Sequence, residues 1–194
     1  MFFMVIADSI SINLNFLLFV RNLSLSADRT VFPTFPINHD AFLPHHEFDS
    51  KAKEIWGSIL APYQDDCVDY NNWSNSKFPF ETFMKNRDYA QKYLPVIKEC
   101  FEAWFFLNWK PLAELYSMQI VERYYDILVD FKIKNHKEPL LPSLFLGIVF
   151  TAPPSDWMRH NRNYFVLTCE SEITNRQKIG EQLKAMCFET GQEQ

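Results

Sequence analysis

A chain of 194 residues, 47% apolar and 22% charged with a net charge of −5, has the composition of one ordinary globular domain rather than a disordered or fibrous chain. Its glycines are only Gly57, Gly147, Gly180 and Gly191, of which just the last two lie close together. Phosphate-cradling loops need clustered glycines, so a P-loop, a dinucleotide fingerprint and a G-x-S-x-G elbow are all excluded.

In chain order, residues 2–7 read as a first strand. Residues 10–21 read as a second, because Ile10, Ile12, Leu14, Phe16, Leu18 and Val20 alternate with Ser11, Asn13 and Asn15 before Leu17 and Phe19 turn apolar. This apolar start has no Lys or Arg before Arg21 and is interrupted by Asp8 and Ser9, which fits neither a signal peptide nor a membrane span. Residues 22–48 carry Pro33, Pro36 and Pro44 and read as loop. A helix capped by Asp49 or Ser50 then places Ala52, Ile55, Trp56, Ile59 and Leu60 on one face and ends before Pro62.

After a polar turn-like stretch, Phe80, Phe83, Met84, Ala90 and Leu94 mark a helix that Pro95 halts or kinks. Residues 103–107 are apolar nearly all round and read as part of a central buried helix. Pro111 suits the first position of another, with Leu112, Leu115, Tyr116, Val121, Tyr124, Tyr125, Leu128 and Phe131 inward. "SLFLGIVF" and "NYFVLTCE" read as buried strands joined by a hairpin-like connection, and Thr174 with Gln177 as a capping box that opens a final helix with Ile179, Leu183 and Met186 inward. The expectation is a single α+β domain. Strands and a proline-containing loop occupy 1–48, helices 49–138, and strands with a closing helix 139–194. A mixed or antiparallel sheet from the terminal strands packs against the central helices.

Three clusters carry functional chemistry. "NHDAFLPHHEFD" gathers His39, Asp40, His45, His46, Glu47 and Asp49, but adjacent histidines on an extended chain diverge and no ligand spacing forms. It reads as a solvated loop, with no metal or cofactor expected. "SDWMRHNR" offers Asp156 to orient His160 as a general base, with Arg159 and Arg162 for an anion. A small hydrolase using His160 with Asp156 and Arg159 is therefore the alternative reading. The widely spaced Cys67, Cys100, Cys169 and Cys187 form no zinc or redox motif and read as reduced thiols of a cytoplasmic protein; Cys169 beside His160 would make a nucleophile only with further support.

The third cluster carries the leading expectation. Residues 40–72 hold seven acidic side chains against Lys51 and Lys53, while the rest of the chain is balanced, so the whole net charge arises there. Tyr63, Tyr70 and Trp73 lie in or beside it, and Trp56 sits on an apolar helix face. Concentrated acid speeds encounter with a basic partner, and Tyr and Trp are common interface anchors. The expected function is that of a small binding protein that neutralises a basic protein by occlusion, of the toxin-immunity or inhibitor type. Asp65, Asp66, Asp69, Tyr70 and Trp73 would be its contact residues. Neither nucleic acid nor a membrane is an expected partner. A third possibility, a subunit of an obligate assembly, would show a large apolar patch, drawn from a surplus among the 19 Phe, 8 Tyr and 5 Trp.

Overall fold

The computed structural model describes residues 4–25, 39–61, 73 and 77–189. Strand β1 (Val5–Ser9) leads into α1 (Ile12–Leu25); α2 (His45–Leu60), α3 (Arg87–Trp104) and α4 (Lys110–Asn135) follow, the last two joined by a π-turn at Phe105–Trp109. Strands β2 (Ser143–Val149), β3 (His160–Asn161) and β4 (Tyr164–Thr168) then precede α5 (Cys169–Phe188). The result is an α+β domain with one four-stranded mixed sheet, in the order β1-β2-β4-β3. The N-terminal and C-terminal strands do share that sheet: Val5 pairs Ser143 and Ser9 pairs Gly147, in parallel. β4 runs parallel to β2, and only the short β3 is antiparallel to its neighbour. The connection between β2 and β4 is thus a crossover, not the hairpin its sequence suggests.

Helices cover both faces of the sheet, which is why β2 and β4 are apolar on both sides. Leu144, Leu146, Ile148, Phe165 and Leu167 face a core shared with Ile120, Tyr124 and Leu128 of α4 and with Ile179 and Leu183 of α5. Val149, Tyr164 and Val166 face a second core, dense in aromatics, built with α1, α2 and α3. Gly147 is fixed by close packing, since a Cβ there would sit 2.2 Å from the Tyr164 hydroxyl.

Several expectations need correction. Residues 10–21 are not a strand. The alternating polar residues that suggested a wet face are buried, as is every residue from Ser11 to Val20. Ser11 caps the helix by accepting the Leu14 amide at 3.1 Å. Asn15 donates to the Ile148 carbonyl at 3.2 Å and accepts the Phe150 amide at 3.0 Å, which ties α1 to the end of β2. A helix buried all round has no polar stripe, so its period disappears.

α2 starts at His45, after Pro44, rather than at an Asp49 or Ser50 cap, so "PHHEFD" is helix entry and not loop. Its expected inner face is confirmed: Ala52, Ile55, Trp56, Ile59 and Leu60 are all buried. Phe80–Phe83 form a 3₁₀ turn, and α3 begins only after Asn86, whose side chain accepts the Tyr89 amide at 2.9 Å. Pro95 does not halt α3. The helix runs on through it to Trp104, with Pro95 on its exposed side. Residues 103–107 are not fully buried, because Phe106 and Leu107 are exposed on the outer side of the π-turn. On α4 the expected inward face is right for Tyr124 and Leu128 but wrong for Leu112, Leu115 and Tyr125, which are exposed. α5 opens at Cys169 with a capping box of Thr168 and Ser171; at the expected start near Thr174, Asn175 only departs from helical geometry.

Candidate functional site

α2 buries its apolar face and turns Glu47, Ser50, Lys51, Glu54 and Ser58 outward. The outward side thus carries Glu47 and Glu54 with Lys51 and Lys53, while the other side is locked into the core. Its first turn is braced by Asp49, which takes a two-point ion pair from Arg21 of α1 (2.9 and 3.2 Å) and lies 3.3 Å from His45. Asp49 is thereby structural, while Asp40, Glu47 and Glu54 are exposed. His45 and His46 are exposed as well, and among the described residues no group of three or more His, Cys, Asp or Glu is arranged to hold a metal.

Asp65, Asp66, Asp69 and Tyr70 lie outside the described residues, but both flanks of their segment are fixed. At one end Asn161 donates to the Leu60 carbonyl at 2.9 Å and Trp56 donates to the Met158 carbonyl at 2.7 Å. At the other end Trp73 does not stand at the surface as expected of an interface anchor. It is 8% exposed, its ring packs against Phe16 and Phe101, and its indole N–H donates to Glu102 at 2.9 Å. It is a core side chain that pins the end of the acidic segment. Along α2 lies an open groove of about 240 Å³, walled by Lys51, Glu54, Ile55 and Ser58 of that helix and by Phe78, Pro79 and Thr82. Its floor is apolar, Glu54 offers a carboxylate at its wall, and the Lys51 ammonium leans on the Thr82 carbonyl at 3.4 Å.

The hydrolase constellation does not converge. Asp156 is engaged by Lys53 at 2.7 Å, and that hydrogen bond holds its carboxyl below the usual range. Arg159 donates to the Pro153 carbonyl, and the exposed His160 ring stacks on Phe165, 6.2 Å between centroids. Arg162 occupies the left-handed region (φ 46°) at the β3–β4 turn. Cys169 opens α5, and burial, reinforced by the Glu172 charge, raises its thiol pKa.

One polar cluster was missed in the sequence. Glu172, with its side chain 1% exposed, accepts from Tyr116 at 2.7 Å, from Arg176 at 3.0 Å and from Arg123. Burial alone would raise its pKa, but the three donors outweigh that and hold it low. Glu172 and Arg176 are four apart on one helix, a readable pair; Tyr116 and Arg123 are two turns apart on another, and only the fold brings the sets together. The cluster clamps α4 to α5.

Among the described residues no helix is long and apolar enough to cross a membrane. Comparison with known proteins returns no matching family model, no matching curated protein and no matching solved structure.

Proposed function

We propose that this chain is a small acidic binding protein that occludes a basic protein partner, in the manner of a toxin-immunity protein or inhibitor. The observation that supports it best is the groove between α2 and Phe78–Thr82, with the Glu54 carboxylate at its wall, on the helix that directly precedes in sequence the segment holding Asp65, Asp66 and Asp69. An apolar floor with a carboxylate at its rim suits the long stem and charged head of a partner's Lys or Arg. Glu54 and Glu47 on α2, with the three aspartates beyond Ala61, would steer the basic surface in, and Tyr70 would add buried contact. Trp73 acts from below by fixing the segment's end. A cytoplasmic setting agrees with the free thiols at Cys100, Cys169 and Cys187.

The test is capture from an extract of the source cell at low and moderate salt, read by mass spectrometry. It uses the wild-type chain and a variant carrying Asp65→Lys, Asp66→Lys and Asp69→Lys. The expected result is a basic protein held by the wild type at low salt, weakened at moderate salt and lost with the variant, which would then identify the activity to assay for inhibition. Equal capture by wild type and variant would refute the assignment of the acidic segment as the contact surface.

A further inference from the structure

We propose that the π-turn and first half of α4 form a self-association face, on which a second copy of this chain docks to give a symmetric dimer crossed at Leu115. This goes beyond the acidic-site reading and does not depend on it. Leu107, Leu112, Leu115 and Met118 are 77%, 63%, 69% and 71% exposed, and the neighbouring Phe106 is 40% exposed. They are not overflow from the core. α4 already buries Ala113, Ser117, Ile120, Tyr124 and Leu128 on its inner side, and at about 100° per residue Leu115 falls opposite that stripe. Pro111, Leu115 and Met118 follow the four- and three-residue steps of a helix–helix seam. The π-turn contributes too: it sets Trp104 and Trp109 against Phe150 and leaves Phe106 and Leu107 outside.

The area is enough for a second copy of the same face. The five side chains leave on the order of 600 Å² of apolar surface open, the upper end of what a monomer ordinarily keeps. Two such faces together would bury on the order of 1,200 Å², the lower bound of specific interfaces. The arrangement of residues selects a second copy as the occupant. When two α4 helices cross antiparallel at Leu115, positions equidistant from it meet twice by symmetry. Leu112 then faces Met118 of the other copy, and the Asn108 amide faces the Glu122 carboxylate. A bilayer fits poorly, because Glu114, Glu122 and Asp126 flank the stripe where a membrane-binding helix carries Lys and Arg.

The experiment is sedimentation velocity of the full chain from about 1 to 100 μM, a range that spans the affinity of a small interface. The mass is expected to rise from one chain toward two. Leu115→Glu should raise the dimer dissociation constant at least about tenfold while leaving the monomer's circular dichroism spectrum unchanged, since the side chain lies outside the core. Leu115→Cys, at the two-fold axis, should cross-link between chains under mild oxidation, whereas Glu122→Cys should not. A wild-type chain that sediments as a single 23.1 kDa species throughout, or a dimer indifferent to Leu115→Glu, would overturn the proposal.

Discussion

The two sides of the sheet are built by different rules. On one side α1, α2 and α3 enclose an aromatic core in which Phe16 meets Trp73, Phe80 and Phe101 edge-on and Phe48 stacks on Phe83. On the other side α4 and α5 pack mostly aliphatic residues and hold one buried carboxylate, Glu172, among two arginines and a tyrosine. The surplus aromatics that might have supplied a surface patch are mostly consumed in the first core. The apolar face comes instead mainly from leucines and a methionine of α4 and of the π-turn before it, with Phe106 the one aromatic among them. Composition thus indicates that apolar surface is left over, while the fold decides which residues provide it.

The largest expected effect tests the aromatic side. Trp73→Ala should destabilise the chain by about 3–5 kcal/mol in urea unfolding, the usual cost of emptying a large aromatic site, and Trp73→Phe by less. A near-neutral Trp73→Ala would mean that the ring is free for a partner after all. On the other side, Glu172→Ala should cost about 2–3 kcal/mol, below the figure for a fully buried ion pair because Arg123 and Arg176 keep partial access to water. A double-mutant cycle with Arg123→Ala should show strong coupling, and additivity would dissolve the clamp.

The pH dependence sharpens the same contrast. The Glu172 pKa is lower folded than unfolded, so its stabilisation is present above about pH 4.5 and is lost as pH falls through the folded value. Glu172→Gln should flatten that acid limb of stability against pH. Burial raises the Cys187 thiol from 9.0 to about 12, so stability should fall as pH rises across that interval, where only the unfolded chain loses the proton. Cys187→Ala should remove part of the alkaline loss. The smallest effect is expected from Leu115→Glu, within about 0.5 kcal/mol for the monomer, because that side chain touches neither core.

The sequence could be read where one face of an element was wet, or where a short apolar run was bounded by turn residues. α2 shows its buried stripe at Ala52, Ile55, Trp56 and Ile59 because Glu54 and Ser58 lie opposite, and β2 and β4 stand out as short apolar runs. α1 was lost because both sides are buried, leaving Ser11, Asn13 and Asn15 to mimic a strand's polar face; its fourteen-residue length and the Ser11 cap were the available signals. α4 misled in the opposite way, since an exposed apolar stripe at Leu112 and Leu115 has the same spacing as a core stripe. Of the acidic site, the charge concentration was legible, but the burial of Trp73 and the pairing of Asp49 with Arg21 depend on contacts distant in sequence.

The most direct measurement runs three proteins in parallel through partner capture and sedimentation: wild type, the Asp65, Asp66, Asp69 triple reversal to lysine, and Leu115→Glu. The triple reversal is expected to lose the basic partner and keep the dimer, and Leu115→Glu to lose the dimer and keep the partner. A triple reversal that still captures the partner as the wild type does would contradict the central claim that the acidic segment is the binding surface.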